Sequence, residues 1–355
     1  MRTSEELQDL VKSVRDGTFH YDGRPKRSTD WASYDEAQLK EVSGTILLIR
    51  KLVDIAAGSA REGEHRGPGR PPCPPGDVAK ALLLQAYFGV SNRVAAGLAE
   101  LFAEKLGISS SFSYKTIERG YDPSAVTRIL EKVFELTARL GNHTEDTFSL
   151  DGTGNPSSVK ENYEQVRSYQ RKRDGLPDWT GVSRRHTFQF SEISVGVHTK
   201  MIAGFASVAG QSVGELGLFP SVLGQTRLHC PQMRTVLGDA MYGTRSTCAL
   251  VSRYRAIPYF MPRRNATLRP VGVPAWKAMV FDFIDDTQSW LQAYHMRSIS
   301  ESVNSVDKRR FPWTLKKKLA WRKANESFLR RNIYNIRQYH NLMFLRPSLI
   351  EKLPA

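Results

Sequence analysis

The sequence feature that most constrains the fold is the change of pattern after Gly141. From there on, short apolar runs rich in β-branched and aromatic residues alternate with segments of helical period. The runs follow the order β–β–β–α–β–α–β–α, and the second and third strands are close enough to form a hairpin. This order predicts a mixed α/β sheet with helices packed on it, in a domain covering residues 143–345.

Residues 1–142 carry a helical pattern instead. Helices are predicted at residues 4–14 and 43–57, joined by a polar segment, and again from residue 77 onward, where Ser91 can cap a helix and Gly107 can end one. We therefore predict an all-helical N-terminal domain. Two roles stay open for it: helix–turn–helix DNA binding around residues 77–119, or a plain helical bundle used for dimerisation.

The charge balance indicates a polyanionic partner. The chain has 51 Lys and Arg against 36 Asp and Glu, a net charge of +15 over 355 residues. This points first to nucleic acid, although a ribosome-associated protein or one bound to an anionic membrane surface would share it. The cysteines lack metal-ligand spacing, and no apolar run is long enough to span a bilayer. We expect a cytoplasmic, nucleoid-associated protein of a prokaryotic cell.

Three segments are rich in basic residues, and two roles stay open for each of them. Residues 61–76, rich in Gly, Pro and Arg, either enter a DNA minor groove or connect two helices. The insert at 159–185 either contacts DNA or is a surface loop. The run at 308–337, with Trp321 among its basic residues, is either a DNA-backbone surface or a solubilising helix. The net charge favours DNA contact for this last run.

Three acidic residues form a candidate site. Asp151 and Asp239 each follow an apolar run and stand beside small residues, so we expect both at the carboxyl ends of strands. Taken alone, Asp-Gly after a strand is usually a turn. With Glu301 on a helix, however, the two aspartates make a set of hard oxygen donors that suits Mg²⁺ or Mn²⁺. Two such ions about 3.5–4 Å apart activate a water or a 3′-hydroxyl for attack on a phosphodiester.

Residues 294–308 are predicted to form one amphipathic helix around that glutamate. At about 100° per residue, Tyr294, Arg297, Glu301 and Lys308 fall on one side. A carboxylate is thus flanked by two cations and a phenol. The opposite side carries an apolar stripe that we expect in the core: Met296, Ile299, Val303 and Val306.

The spacing of the four polar residues resembles a known signature. Tyr294, two residues, Arg297, three residues, Glu301, six residues and Lys308 match the Tyr–Arg–Glu–Lys signature of DDE-type insertion-sequence transposases of bacteria and archaea. This resemblance covers roughly residues 67–345.

Two shorter motifs carry the same resemblance. Asp151-Gly-Thr is similar to that family's first-aspartate motif, and Asp239-Ala followed by Tyr242 is similar to its second. Met241 intervenes before the aromatic residue, which is a modest departure. The short distance from the last strand to the glutamate implies that a large insertion domain of some relatives is absent.

The resemblance implies an RNase H-like catalytic core and DNA transposition, that is, cleavage at the element ends and strand transfer into target DNA. Asp151, Asp239 and Glu301 would bind two Mg²⁺ or Mn²⁺ ions, and no other cofactor is expected. The implied partners are double-stranded DNA, at element ends and target, and a second copy in a homodimer on paired ends. The residues expected to hold DNA phosphates, by the signature or by the charge of the basic run, are Tyr294, Arg297, Lys308, Arg309, Arg310, Lys316, Lys317 and Lys318.

Two alternatives stay open. One is a nuclease with the same core that cleaves without strand transfer. The other is a catalytically silent DNA-binding protein derived from a transposase.

Overall fold

The computed structural model describes residues 3–22, 29–58, 73–156, 171, 173–175, 188–209, 213–268, 273–312 and 314–353. Most of the basic segments 61–76 and 159–185 lies outside these residues, so their roles stay predictions.

The first part of the chain forms the predicted helices. Ser91 caps one of them by accepting a hydrogen bond from the Val94 amide at 3.4 Å. Gly107 follows another in the left-handed region, at φ +61°. One helix lies within the segment expected to be a polar connector, and Asp30 caps it through the Ser33 amide at 3.2 Å. The bounds are α1 Ser4–Arg15, α2 Trp31–Leu39, α3 Glu41–Gly58, α4 Pro75–Phe88, α5 Asn92–Leu101, α6 Ala103–Leu106, α7 Tyr114–Arg119 and α8 Ala125–Arg139.

A five-stranded mixed sheet follows, as the sequence pattern predicts. Its strand order is β3-β2-β1-β4-β5. The pairs β1/β2 and β2/β3 are antiparallel, whereas β1/β4 and β4/β5 are parallel. The strands are β1 Thr147–Pro156, β2 Phe188–Gly196, β3 Ile202–Ala209, β4 Thr235–Gly238 and β5 Ile257–Phe260.

The remaining helices separate and follow the parallel strands. The continuous helix predicted over residues 294–308 is wrong, because one helix ends at Tyr294 and a 3₁₀ turn, His295–Arg297, precedes the next. Such tight turns commonly join helix ends. The bounds are α9 Gly214–His229, α10 Arg245–Arg253, α11 Pro274–Asp285, α12 Thr287–Tyr294, α13 Ser298–Arg310 and α14 Ala320–Leu345.

Both faces of the sheet are covered by helices. One face buries Phe148 and Leu150 of β1 in a cluster with residues of α9 to α12 and α1. The other face buries Ile193 and Val195 of β2 in a cluster with residues of α8, α13 and α14. Alternating side chains of a strand point to opposite faces, and β3 accordingly contributes Ala203 to the first cluster and the adjacent Ile202 to the second.

The first and last long helices each pack in the core formed mainly by the other part of the chain. Leu7 and Val11 of α1 pack in the sheet's cluster, although α1 precedes the other N-terminal helices. Conversely, Leu329 and Ile333 of α14 pack in the cluster of the N-terminal helices. Asn335 of the same helix exchanges two hydrogen bonds with the Ile202 backbone, both 2.8 Å long. Helix α14 therefore joins both cores, and the predicted domain boundary at residue 142 stays a prediction.

In the part of the chain that the structure describes, no helix is both long and apolar enough to cross a bilayer.

Candidate active site

Asp151 lies in the middle of β1, not at its end. Strand β2 pairs with β1 as far as Pro156, so the predicted strand end at Asp151 is wrong. The alternation along β1 is informative all the same: Phe148 and Leu150 enter the core of one face, while Ser149 and Asp151 face α13. Asp151 is half-buried there.

Asp239 directly follows β4, as predicted. Strand β4 pairs in parallel with β1, and Ser149 is level with Leu237. Extending this register by two residues brings Asp151 level with Asp239. This extrapolation predicts the two aspartates as neighbours where β4 stops and β1 continues, and the charge of Asp239 does act on Asp151.

The turn after β4 is anchored by its aromatic residue. The Asp239 carboxylate accepts a hydrogen bond from the Met241 amide at 2.7 Å, a side-chain-to-backbone contact typical of turns. The Tyr242 ring is buried beside Phe219 and Phe260. Its hydroxyl donates to Glu192 at 3.0 Å. The buried ring thus holds the turn in place and with it the position of Asp239.

Helix α13 packs on the sheet through polar residues. The expected apolar stripe is confirmed in part: Val303 is buried in the core and Ile299 and Val306 pack against it, whereas Met296 joins no core cluster of the described residues. The helix buries polar side chains because polar side chains of neighbouring elements lie opposite them and bind them. The stripe that is fully buried consists of Ser300, Val303, Asn304 and Asp307.

Two serines fix the start of α13 against β1. The hydroxyls of Ser149 and Ser300 are 2.7 Å apart, and Ser149 also donates to the Arg297 carbonyl at 2.8 Å. Small side chains with their own partners allow the helix to lie close to the strand. The close approach brings Glu301, in the first turn of α13, to the same end of the sheet as Asp151 and Asp239.

Asn304 is a site residue that the sequence pattern did not reveal. Its Nδ2 donates to Asp151 Oδ2 at 2.8 Å, and its side chain is 4% exposed. Its Oδ1 is buried and accepts no hydrogen bond from the described residues. The available signal was its position, three residues after Glu301 on the inward side of the helix.

Glu301 is paired with a neighbour of the signature. It forms an ion pair with Arg297, and its side chain is 51% exposed. The Arg297 guanidinium also lies over the Tyr294 ring, 5.3 Å from its centre. Tyr294 in turn stacks on Trp290 at 5.0 Å and is buried. The four predicted positions therefore differ sharply in access to solvent, since the tyrosine ring is part of the core.

The charges of Asp239 and Glu301 act on Asp151. Burial raises the pKa of Asp151, and the negative charges of Glu301 and Asp239 raise it further. The hydrogen bond from Asn304 and the charge of Arg297 oppose this shift. Nearby like charges disfavour ionisation, so a raised pKa is the expected signature of gathered carboxylates. Asp151 is therefore the central member of the set.

Each carboxylate is held by a protein donor: Asp151 by Asn304, Asp239 by the Met241 amide and Glu301 by Arg297. Among the described residues, no three His, Cys, Asp or Glu side chains are gathered closely enough to hold one metal ion as they stand. The donor set nevertheless consists of hard oxygens, and a cation would relieve the repulsion that acts on Asp151. The residues present thus fit a divalent ion by their chemistry.

The predicted phosphate ligands fall into three places. Lys308 and Arg309 are exposed on the last turns of α13. Arg310 pairs instead with Glu41 of α3 at 2.8 Å. The three lysines after α13 line a cavity that includes none of the three carboxylates: Lys316, Lys317 and Lys318.

The chain is similar to a protein from Archaeoglobus fulgidus described as a probable transposase for the insertion sequence element ISA1214. The two are 25% identical over 344 residues, which cover 96% of this chain and 95% of that relative. No protein-family model matches the chain. No solved structure matches it significantly.

Proposed function

We propose that this chain is an insertion-sequence transposase of the DDE type, with an RNase H-like catalytic core in residues 143–345. The observation that carries the proposal is that Asp239 and Glu301 are both close enough to Asp151 for their charges to raise its pKa beyond the effect of burial, and the parallel register of β4 with β1 supports it. The five-stranded mixed sheet with helices on both faces supports this core. The similarity to a probable transposase over nearly the whole chain supports the same reading.

Asp151, Asp239 and Glu301 would hold two Mg²⁺ or Mn²⁺ ions. When bound, such ions supply Lewis-acid activation of the attacking and leaving oxygens of a phosphodiester. Asn304 orients the Asp151 carboxylate by its 2.8 Å hydrogen bond. Hydrolysis at an element end and strand transfer need the same in-line geometry, so one set of carboxylates serves both steps.

The basic residues would bind DNA without reading its sequence. Arg297 stands between Glu301 and Tyr294, and Lys308 follows Glu301 two turns later on the same side of α13. Cations at these positions neutralise phosphate charge beside the reacting bond. The hydroxyl of the buried Tyr294 interacts with Arg297. The paired-end reaction also calls for a homodimer, and the N-terminal helices are candidates for DNA binding or dimerisation.

The test uses the whole chain with Mg²⁺ or Mn²⁺, a duplex carrying the flanking ends of its own gene and a target plasmid. End cleavage and joining are both measured. We expect the wild type to do both and Glu301→Gln, Asp239→Ala and Glu301→Ala to do neither, while all bind DNA. Glu100→Gln is the matched control, because Glu100 is an exposed helical glutamate outside the site.

The outcomes separate the three readings. Cleavage and joining that both depend on Glu301 would support the transposase. Cleavage without any joined product would favour a nuclease with the same core. Tight end binding without cleavage under either metal would favour a catalytically silent DNA-binding protein. Metal-dependent cutting by Glu301→Gln would remove this site assignment.

A further inference from the structure

A cavity of about 590 Å³ lies between the N-terminal helices and the segment that follows α13. Its walls come from the α4–α5 turn and α7 on one side, and from residues 316–319 and the start of α14 on the other. Besides Arg322 and Arg330, four cationic side chains line it: Arg93, Lys316, Lys317 and Lys318.

Other charges in the same cavity are neutralised within the protein. Arg322 pairs with Glu118 at 2.7 Å and with Asp122 at 2.6 Å. Arg330 pairs with Glu326 at 3.5 Å. These arginines therefore add little net charge to the cavity, and its acidic residues are already engaged.

The lysines, by contrast, are bonded to neutral oxygens. Lys316 Nζ donates to the Gly89 carbonyl at 2.8 Å, and Lys317 Nζ donates to Asn92 Oδ1 at 2.7 Å. Neither of these lysines forms an ion pair with a carboxylate among the described residues. These lysines thus leave a net positive charge in the cavity, because their partners are neutral oxygens.

Lys317 shows what this charge costs the protein. It is half-buried, and its ammonium lies 3.8 Å from the centre of the Tyr121 ring. Burial lowers the pKa of Lys317 to about 8, against a usual value of 10.5. A desolvated ammonium is stabilised by an anion that enters beside it.

The start of α5 faces the same space. Ser91 and Asn92, which begin this helix, line the cavity, and Arg93 follows with its guanidinium 4.6 Å from the centre of the Tyr114 ring. The first turn of a helix carries a partial positive charge, which adds to that of the lysines. Both halves of the cavity wall therefore favour an anion.

We propose that this cavity binds the phosphate backbone of duplex DNA, with Arg93 from the N-terminal helices and Lys316, Lys317 and Lys318 from the segment after α13 on the same stretch of backbone. The proposal rests on the proposed function for the choice of DNA. A chain with net charge +15 suits a polyanion. Lys318 is exposed at the rim, so the contact extends past a single phosphate.

The experiment compares two triple variants of the full chain. One is Lys316→Gln, Lys317→Gln and Lys318→Gln. The control changes three exposed lysines that do not line the cavity: Lys105→Gln, Lys277→Gln and Lys352→Gln. Affinity is measured on an element-end duplex and an unrelated duplex over a range of salt. Mass-spectrometric lysine acetylation, with and without DNA, reports which lysines the duplex covers.

We expect the cavity variant to lose roughly 10- to 100-fold in affinity for both duplexes, and its salt slope to fall by about 2 to 3, since each phosphate contact contributes about 0.9. DNA should protect Lys316, Lys317 and Lys318 from acetylation in the wild type. Equal affinities and slopes for the two triple variants, or unprotected cavity lysines, would overturn the proposal. A Lys→Arg version of the cavity variant keeps the positive charge and should retain binding, and equal urea unfolding of the two Lys→Gln triple variants excludes a folding defect.

End cleavage by the same preparations separates this inference from the proposed function. If the wild type cleaves and the cavity variant binds like the control, the cavity is not a DNA site, and the proposed transposase function is unaffected. A wild type that never cleaves, with a cavity variant that has lost binding, keeps the DNA site and removes the catalytic assignment. Absence of DNA binding by the wild type would remove both.

Discussion

The carboxylates on α13 and beside it are of two kinds, which differ in how their charge is compensated. Asp307 is 1% exposed and pairs with Arg331, itself 0% exposed, at 2.6 Å. For Asp151, by contrast, burial raises the pKa, and the charges of the nearby Glu301 and Asp239 raise it further. Asp307 is neutralised by an arginine inside the fold, whereas Arg297 and the hydrogen bond from Asn304 offset only part of the burial and like-charge repulsion that act on Asp151.

The difference teaches which acidic residues serve the fold and which are available for a ligand. A buried carboxylate with an arginine partner contributes to stability only as long as both partners stay. Carboxylates gathered without full compensation destabilise the folded state, and they persist at sites where a cation or substrate compensates them. Variants of the two groups should therefore move stability and activity in opposite directions.

Breaking the Asp307–Arg331 pair should give the largest effect on stability. Asp307→Asn leaves the buried Arg331 charge without its counterion, and we expect a loss of about 3–5 kcal/mol in the free energy of unfolding. Urea denaturation measures it. Changing both partners to apolar residues, Asp307→Leu with Arg331→Met, should return most of the loss. A single variant as stable as the wild type would contradict the structural role of the pair.

Glu41 offers the second test, through pH. Arg337 and Arg310 both bond its carboxylate, as does the Tyr87 hydroxyl at 3.0 Å. Burial opposes ionisation, but the hydrogen bond and charge of Arg337, aided by Arg310, outweigh it and lower the pKa of Glu41 below 4.5. The stability that Glu41 contributes is thus complete above the unfolded value of 4.5 and is lost as pH falls through the lowered pKa.

Glu41→Gln should lower the free energy of unfolding by about 2 kcal/mol at pH 7. The difference between wild type and variant should shrink below pH 4, because the wild type then loses the same charge. Urea unfolding across pH 3–7 measures both curves. The matched control is Glu36→Gln. Glu36 forms an exposed ion pair with Lys40, which is next to Glu41 in the sequence, so its loss should change stability by less than about 1 kcal/mol. A gap between Glu41→Gln and wild type that is constant with pH would contradict the assigned ion pair.

The sequence predicted the order of strands and helices because hydrophobic period and turn residues are local properties. It could not predict that Asp151 lies within β1, because that depends on how far β2 continues to pair with it. Nor could it predict the polar inner stripe of α13: Ser300 and Asn304 become buried only because Ser149 and Asp151 stand opposite them. Contacts between residues far apart in sequence decided each of these points.

The same limit applies to the basic residues. Arg310 and Lys316 share one charged run, and the sequence gives them one interpretation. In the structure Arg310 contacts Glu41, whereas Lys316 contacts a neutral carbonyl. Charge alone identifies a basic run, but the partner on another helix decides whether a given cation stabilises the fold or stays available to a ligand.

Asn304→Ala tests the link between the two groups, since Asn304 lies one turn before Asp307 on the same stripe. Losing the hydrogen bond to Asp151 should weaken Mn²⁺ binding by about 10- to 100-fold, as for other residues that orient metal ligands. Mn²⁺ electron paramagnetic resonance titration measures it without DNA. Ser305→Ala, on the exposed side of α13, is the control. A variant with unchanged Mn²⁺ affinity but lower stability would make Asn304 a residue of the fold alone.

Asp151→Asn should give the smallest change in the free energy of unfolding, and this change should be a gain. The pKa of Asp151 is raised above 3.8, so the folded state holds its proton longer than the unfolded chain, and ionisation lowers stability as pH rises through the raised value. Replacing the carboxylate removes this repulsion, and we expect a gain of about 1 kcal/mol at pH 7 in EDTA. The gain should vanish near pH 3.

Added Mn²⁺ should reverse that order. A ligand that binds only the folded state stabilises it, so the wild type should gain stability with Mn²⁺ while Asp151→Asn gains little. Urea unfolding with EDTA and with Mn²⁺ gives all four values, and end cleavage by the variant should be lost. Asp307→Asn is the contrast, because it should lose stability in both conditions. If Asp151→Asn behaved like Asp307→Asn, the distinction between carboxylates of the site and carboxylates of the fold would not hold.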